Sequence, residues 1–133
     1  MTTRRWIIVA IMVAAGLPGL FKPAVIRTDD ETRLAFFFRW QSGHIRFVNS
    51  VTDQPVAIDF RIGRRFQAFS VCTDETTEAY YTHGLYDMNA AVAQNATDRL
   101  RFCSVKGISL NIGFYTISVK DGWLEVALLW TVW

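Results

Sequence analysis

The stretch Thr73 to Gly84, TDETTEAYYTHG, gathers the side chains best suited to chemistry: Asp74, Glu75, Glu78 and His83, with Tyr80 and Tyr81 among them. Carboxylate oxygens suit calcium, and a mixed carboxylate–imidazole set suits zinc. A metal reading would take Asp74, Glu78 and His83 as ligands. Yet the stretch has no EF-hand pattern and no His-x-x-x-His pair, and nothing in its spacing forces Asp74 and His83 together. The plainer reading makes TDETTE a solvated strand end or turn. It sends Tyr80 and Tyr81 back into a sheet, pointing to opposite faces. The loop is then a contact surface, with His83 and Gly84 as candidate binding residues and no metal site assigned.

Other polar residues offer weaker chemistry. Asn49 and Ser50 sit inside a strand-like run, either on a wet face or bonded to a neighbouring turn, and are candidate recognition residues. Ser50 has no evident base and no nucleophile-elbow pattern. Asp59 is expected on the polar face of a strand, paired with a cross-strand arginine such as Arg46. His44 follows Gly43 in a turn. With no nucleophile–base set, the chain reads as non-enzymatic and without a cofactor. Cys72 and Cys103 lie in strand-like runs and form a candidate disulfide in an oxidising compartment, with two buried free thiols as the alternative.

These residues need a frame. Of 133 residues, 51% are hydrophobic and 14% aromatic, the composition of one folded, strand-rich domain. All 12 acids lie from Asp29 onward, while Arg4, Arg5, Lys22 and Arg27 precede them, so the net +2 reflects the front of the chain. The folded part is slightly acidic, which excludes a nucleic-acid binder built on a basic patch. Val56, Ile58, Phe60 and Ile62 alternate with Ala57, Asp59 and Arg61, a half-buried strand. Turn signals at TDDET, QSGH, TDQP and GR divide the rest, and KDGW reads as a type I′ hairpin. MNAAVAQNA makes one or two helical turns with Asn89 as a possible cap. About six to eight short strands without a long amphipathic helix predict an all-β domain, an antiparallel sandwich or partly open barrel.

The front of the chain supplies the address. Arg4 and Arg5 precede a charge-free run from Trp6 to Phe21. Residues 1–22 therefore read as a membrane anchor, preferred to a cleaved signal sequence, with Arg5 and Lys22 snorkelling at its two ends. Residues 23–133 form the exported domain. The location expected is the inner membrane, single-pass, with the C-terminal domain in the periplasm, or secreted if the N-terminus is cleaved.

The stretch FVNSVTDQPVAIDFRI is similar to the signature of a small membrane-anchored bacterial family of unknown function (domain of unknown function 1850), found beside TAXI-type TRAP transporters. Asn49, Ser50 and Val51 match its His-Ser-Val triplet, with Asn for His. Pro55 and Val56 match its Pro-Val, and the acid after it is displaced to Asp59. Thr82 to Leu85 stand where the family has a glycine-rich turn, and GISLNIGFYTISVKDGWLEV resembles its closing pair of strands. The resemblance implies a basic start, one anchor and a β-rich exported domain, with TRAP transporter subunits as partners. No proton-transfer or metal role of the family's histidine can pass to Asn49. The expected function is a non-enzymatic envelope accessory protein at the periplasmic face of the membrane. The alternative is a periplasmic small-ligand or metal-binding β-domain. The consecutive Phe36, Phe37 and Phe38 and the apolar C-terminus ALLWTVW mark surface that core, membrane or another protein must cover.

Overall fold

The computed structural model describes residues 2–85 and 87–131. The last two residues of the apolar C-terminus, Val132 and Trp133, lie outside the described residues. In chain order the elements are α1 (Thr2–Leu20), β1 (Phe21–Thr28), β2 (Thr32–Phe38), β3 (Ser42–Val48), β4 (Pro55–Ile62), β5 (Phe66–Cys72), α2 (Glu75–Thr82), α3 (Met88–Ala93), β6 (Arg99–Ser104), β7 (Ile108–Ile112), β8 (Tyr115–Val119) and β9 (Gly122–Leu128). The strands form two antiparallel sheets, ordered β2-β1-β9-β6 and β5-β4-β3-β7-β8. The fold is a sandwich with open edges, not a closed barrel.

Period-2 alternation builds the core. Ala24 and Ile26 of β1, Phe37 of β2, and Leu124, Val126 and Leu128 of β9 face Ile45, Phe60, Ile62, Leu110 and Ile112 of the other sheet. Every one of these side chains is buried, and such burial is the main term holding the two layers together. Phe60 lies edge-to-face on Phe66, ring centroids 5.4 Å apart. On the outer face of the four-stranded sheet, Glu125 bonds Arg27 at 3.0 Å and lies 3.9 Å from Arg99.

Several expectations change. The first helix ends at Leu20, and Phe21 and Lys22 belong to β1, so the boundary at residue 22 moves two residues earlier. Lys22 does not snorkel. It shares the inward phase of Ala24 and Ile26, is fully buried, and its Nζ donates to the carbonyls of Arg64 (3.1 Å) and Trp130 (3.5 Å). Burial, then the charges of Arg39 and Arg64, hold its pKa below the ordinary 10.5. The KDGW turn does not close a hairpin, because β8 and β9 lie in different sheets. The two-residue hairpin is instead at Gly113–Phe114, joining β7 to β8 within what reads as one long strand. Gly113 has φ 54, the positive angle that the first central position of such a turn favours.

Strand β5 does not keep a strict inward and outward alternation. Two steps on β4, from Asp59 to Arg61, match three on β5, from Ser70 to Gln67. The extra residue lies beside Ala68, whose φ is 54, so β5 carries a bulge with alanine where glycine is usual. The bulge turns Phe69 inward, onto Phe60 at 5.9 Å, and leaves Cys72 exposed. Replacing Ala68 by Gly should raise stability by up to about 1 kcal/mol, the excess of the left-handed penalty over glycine's added chain entropy, read from urea unfolding.

Candidate functional site

The end of the sandwich farthest from α1 carries the polar residues singled out by the sequence. Asn49 follows β3 and is 5% exposed. Its Oδ1 accepts from the backbone N–H of Val51 (2.8 Å) and of Thr52 (3.0 Å), and its Nδ2 donates to the Tyr81 hydroxyl at 2.7 Å. The β3–β4 loop is thereby folded on itself and fastened to α2. A second fastening joins the hydroxyls of Thr52 and Thr77 at 2.7 Å, and Asp53 of the same loop pairs with Lys106. Asn49 is thus an organiser of the loop, while its neighbour Ser50 faces solvent. Asn49→Ala removes the shared acceptor of two loop amides and the bond to Tyr81, and should cost about 1–2 kcal/mol in chemical denaturation. Asn49→Asp keeps the acceptor for both amides and should cost much less.

The stretch that opened the sequence reading is a helix, not a strand. Asp74 is the N-cap of α2, its Oδ2 accepting from Thr76 N–H at 3.1 Å. His83 closes the helix in the left-handed region at φ 53, followed by Gly84 at φ 70. Tyr80 and Tyr81 are successive helical residues in edge-to-face contact at 5.4 Å, not opposite faces of a strand. Asp74 and His83 therefore lie at opposite ends of an eight-residue helix, about 13 Å of rise apart. Glu78 Oε1 meanwhile accepts from Met88 N–H at 3.3 Å. Among the described residues no three His, Cys, Asp or Glu side chains are grouped to hold a metal.

The Thr77 hydroxyl, foremost among the donors of this first turn, holds the Asp74 carboxyl below its ordinary 3.8. A depressed folded-state pKa stabilises above the unfolded value, and that contribution is lost as pH falls through the folded value. Acid unfolding followed by circular dichroism should therefore lose part of its steepness below pH 3.8 in Asp74→Asn, which keeps the cap without the titration.

His83 and Gly84 are exposed and distant in the chain from Asp59, which lies on the outer face of the five-stranded sheet. Asp59 pairs with His44, Nδ1 to Oδ1 2.6 Å, and not with Arg46. The register decides this, because His44 is directly opposite Asp59 and Arg46 is opposite Ala57. Cys72 and Cys103 are free thiols, exposed on edge strands of different sheets, and the candidate disulfide is not formed. Asn89 does not cap α3, a role taken by Asp87. It bonds instead to both backbone groups of Val71, at 2.7 and 2.9 Å, and so covers part of the β5 edge.

Sequence reasoning did not single out a groove at this end. An open groove of about 820 Å³ runs across β5, β4, β3, β7 and β8, with Arg46, Lys106 and Lys120 among its walls and Cys72, Ser109 and Ser118 along it. The cross-strand row Cys72–Ala57–Arg46–Ser109–Ser118 supplies a small-residue floor interrupted by one guanidinium. The alternation of small and polar residues on these strands was the available signal.

The chain is an antiparallel β-sandwich with one N-terminal helix of the length and apolarity of a membrane span or signal sequence. Comparison with family models, curated proteins and solved structures gives no match.

Proposed function

We propose that the chain is a non-enzymatic accessory protein of the bacterial envelope. An uncleaved α1 holds it in the cytoplasmic membrane, its sandwich stands on the periplasmic side, and it assists a TRAP-type solute transporter. The observation that carries this reading is the join between anchor and domain. No residue of α1 is buried, and Leu20 of α1 is followed at once by Phe21 of β1, without a linker. A join of this kind confines the sandwich to the membrane surface and raises its effective concentration for a membrane-embedded partner. The transporter as partner rests on the resemblance around Asn49 to Val56 and at the closing strands. Crosslinking the tagged full-length chain in its own membranes, followed by mild-detergent purification, should recover transporter subunits in near-stoichiometric yield. Recovery of the chain alone overturns the reading.

A second reading, a periplasmic domain that binds a small solute, is favoured by the groove at Arg46 and Lys120. Cations around a small-residue floor suit an anionic ligand such as a short carboxylate. Calorimetric titration of the full-length chain with small dicarboxylates tests it, and Arg46→Ala should abolish any heat observed.

A further inference from the structure

The other end of the sandwich has a composition of its own. Four segments meet where α1 leaves the domain. Arg39 N–H donates to the Leu20 carbonyl at 2.8 Å, and Trp40 N–H to the Ile62 carbonyl at 2.6 Å, which places the end of β2 and the end of β4 beside the helix. Gln41 Oε1 accepts from Phe38 N–H, and its amide fills the space that a Cβ at Gly113 would need, so the β7–β8 turn with Phe114 belongs to the same end. Arg64 Nε donates to the Thr131 carbonyl at 2.8 Å, drawing in the C-terminal segment.

The chemistry of these segments is one-sided. Residues 20–22, 36–42, 61–66, 112–116 and 128–131 contain Lys22, Arg39, Arg61, Arg64 and Arg65 and no acid; the neighbouring segment that bonds Phe66 and Leu128 adds one, Asp98, so the end carries five bases against one acid. They also show large apolar side chains to solvent: Phe114 is 95% exposed, Trp40 66% and Leu129 54%. Trp40 is held at φ 69, a left-handed conformation that bulky residues rarely adopt, with the Arg39 guanidinium 5.4 Å over its ring. The conformation presents an aromatic ring and a cation together at the point nearest the helix exit.

We propose that this end of the sandwich is a docking surface for anionic phospholipid, with Arg39, Arg61 and Arg65 taking headgroup phosphates and Trp40 and Phe114 entering the bilayer interface. Tryptophan and basic side chains are the residues that settle at that depth, and each base near an anionic surface adds attraction. The connectivity fixes the occupant, because a membrane-spanning α1 brings this surface against the bilayer at Phe21. After burial, the charges of Arg39 and Arg64 also lower the pKa of Lys22, so cations crowd at this end. The proposal rests on the anchored reading and adds that the sandwich is held in one orientation, its groove directed away from the membrane.

The test is hydrogen exchange of the full-length chain in lipid nanodiscs, comparing pure phosphatidylcholine with discs that contain phosphatidylglycerol. Segments 36–42, 61–66 and 112–116 should be protected in the anionic discs, and less so at high salt. Arg61→Gln with Arg65→Gln should lower the docked-to-free ratio about twenty-five-fold, roughly fivefold per base. Trp40→Gly relieves the left-handed conformation, so it should keep or raise the melting temperature while weakening protection. A tryptophan of purely structural role would lower the melting temperature and leave the lipid response unchanged. Equal protection in both lipids, or none in either, overturns the proposal. A chain that does not co-elute with discs at all overturns the anchored reading, and the proposal with it.

Discussion

Phe60→Ala should cost the sandwich about 3–5 kcal/mol, a large share of the stability of a domain this size. Phe60 is 2% exposed and sits where the inner faces of both sheets converge, edge-to-face with Phe66 and 5.9 Å from Phe69. Its ring lies across the backbone of Gly43, the residue directly opposite on β3. A Cβ built on Gly43 would collide with the Phe60 ring. Gly43 is therefore glycine because the phenylalanine occupies its side-chain space, not because of its backbone angles. Gly43→Ala alone should cost about 1–3 kcal/mol through overpacking. The double variant should cost less than the sum by more than about 1 kcal/mol, because the methyl added at position 43 enters space that the lost ring vacates. Thermal denaturation reads all three, with a fall of roughly 15 °C for Phe60→Ala at about 4 °C per kcal/mol. Strict additivity would mean that the ring does not lie over Gly43.

That pair also shows what could be read from the chain. The alternation Val56, Ile58, Phe60, Ile62 declares an inward face without any partner strand, and it holds in the structure. The register across the sheet is not declared. Nothing local to Asp59 says that His44, rather than Arg46, stands opposite. The KDGW stretch is a sound turn, but a turn does not say whether the next strand continues the same sheet, and β9 pairs with β1 and β6 in the other one.

The misread stretch, Thr73 to Gly84, failed for a physical reason. Helix recognition leans on an apolar stripe, and the residues that α2 buries are Thr77 and Thr82. Its end signals were present: Asp74 as a cap, Glu75 and Glu78 in the first turn, and Gly84 just past the end. They are the same residues that suggest a metal site, so one set of carboxylates served two readings. The Ala68 bulge had no sequence signal, since glycine is the residue that announces it. The role of Asn49 was half legible, because a polar residue before a tight turn often bonds the amides ahead of it. Its bond to Tyr81 spans 32 positions of chain and needed the structure.

Two arginines in α1, Ile11→Arg with Ala15→Arg, should remove the chain from the membrane while leaving the sandwich intact. The helix spans 19 residues, about 28 Å of rise against the ~30 Å hydrocarbon core. Each arginine at the helix centre adds about 2.5–3.5 kcal/mol to insertion, so the pair shifts partitioning by roughly four orders of magnitude. Positions 11 and 15 lie one turn apart on the same helix face, so both charges meet the same lipid. No side chain of α1 is buried in the sandwich, and the melting temperature of the folded part should be unchanged. Carbonate extraction separates the outcomes. The native chain should stay with the membrane pellet and the variant should leave it. A native chain recovered at reduced mass, lacking α1, would make the helix a signal sequence, and the Arg39–Trp40 surface would then face solvent. A native chain washed out at full length would leave α1 as neither. Retention of the double-arginine variant with an unchanged melting curve would mean that the sandwich itself holds the membrane, which the basic and aromatic end around Arg39, Trp40 and Phe114 is composed to do.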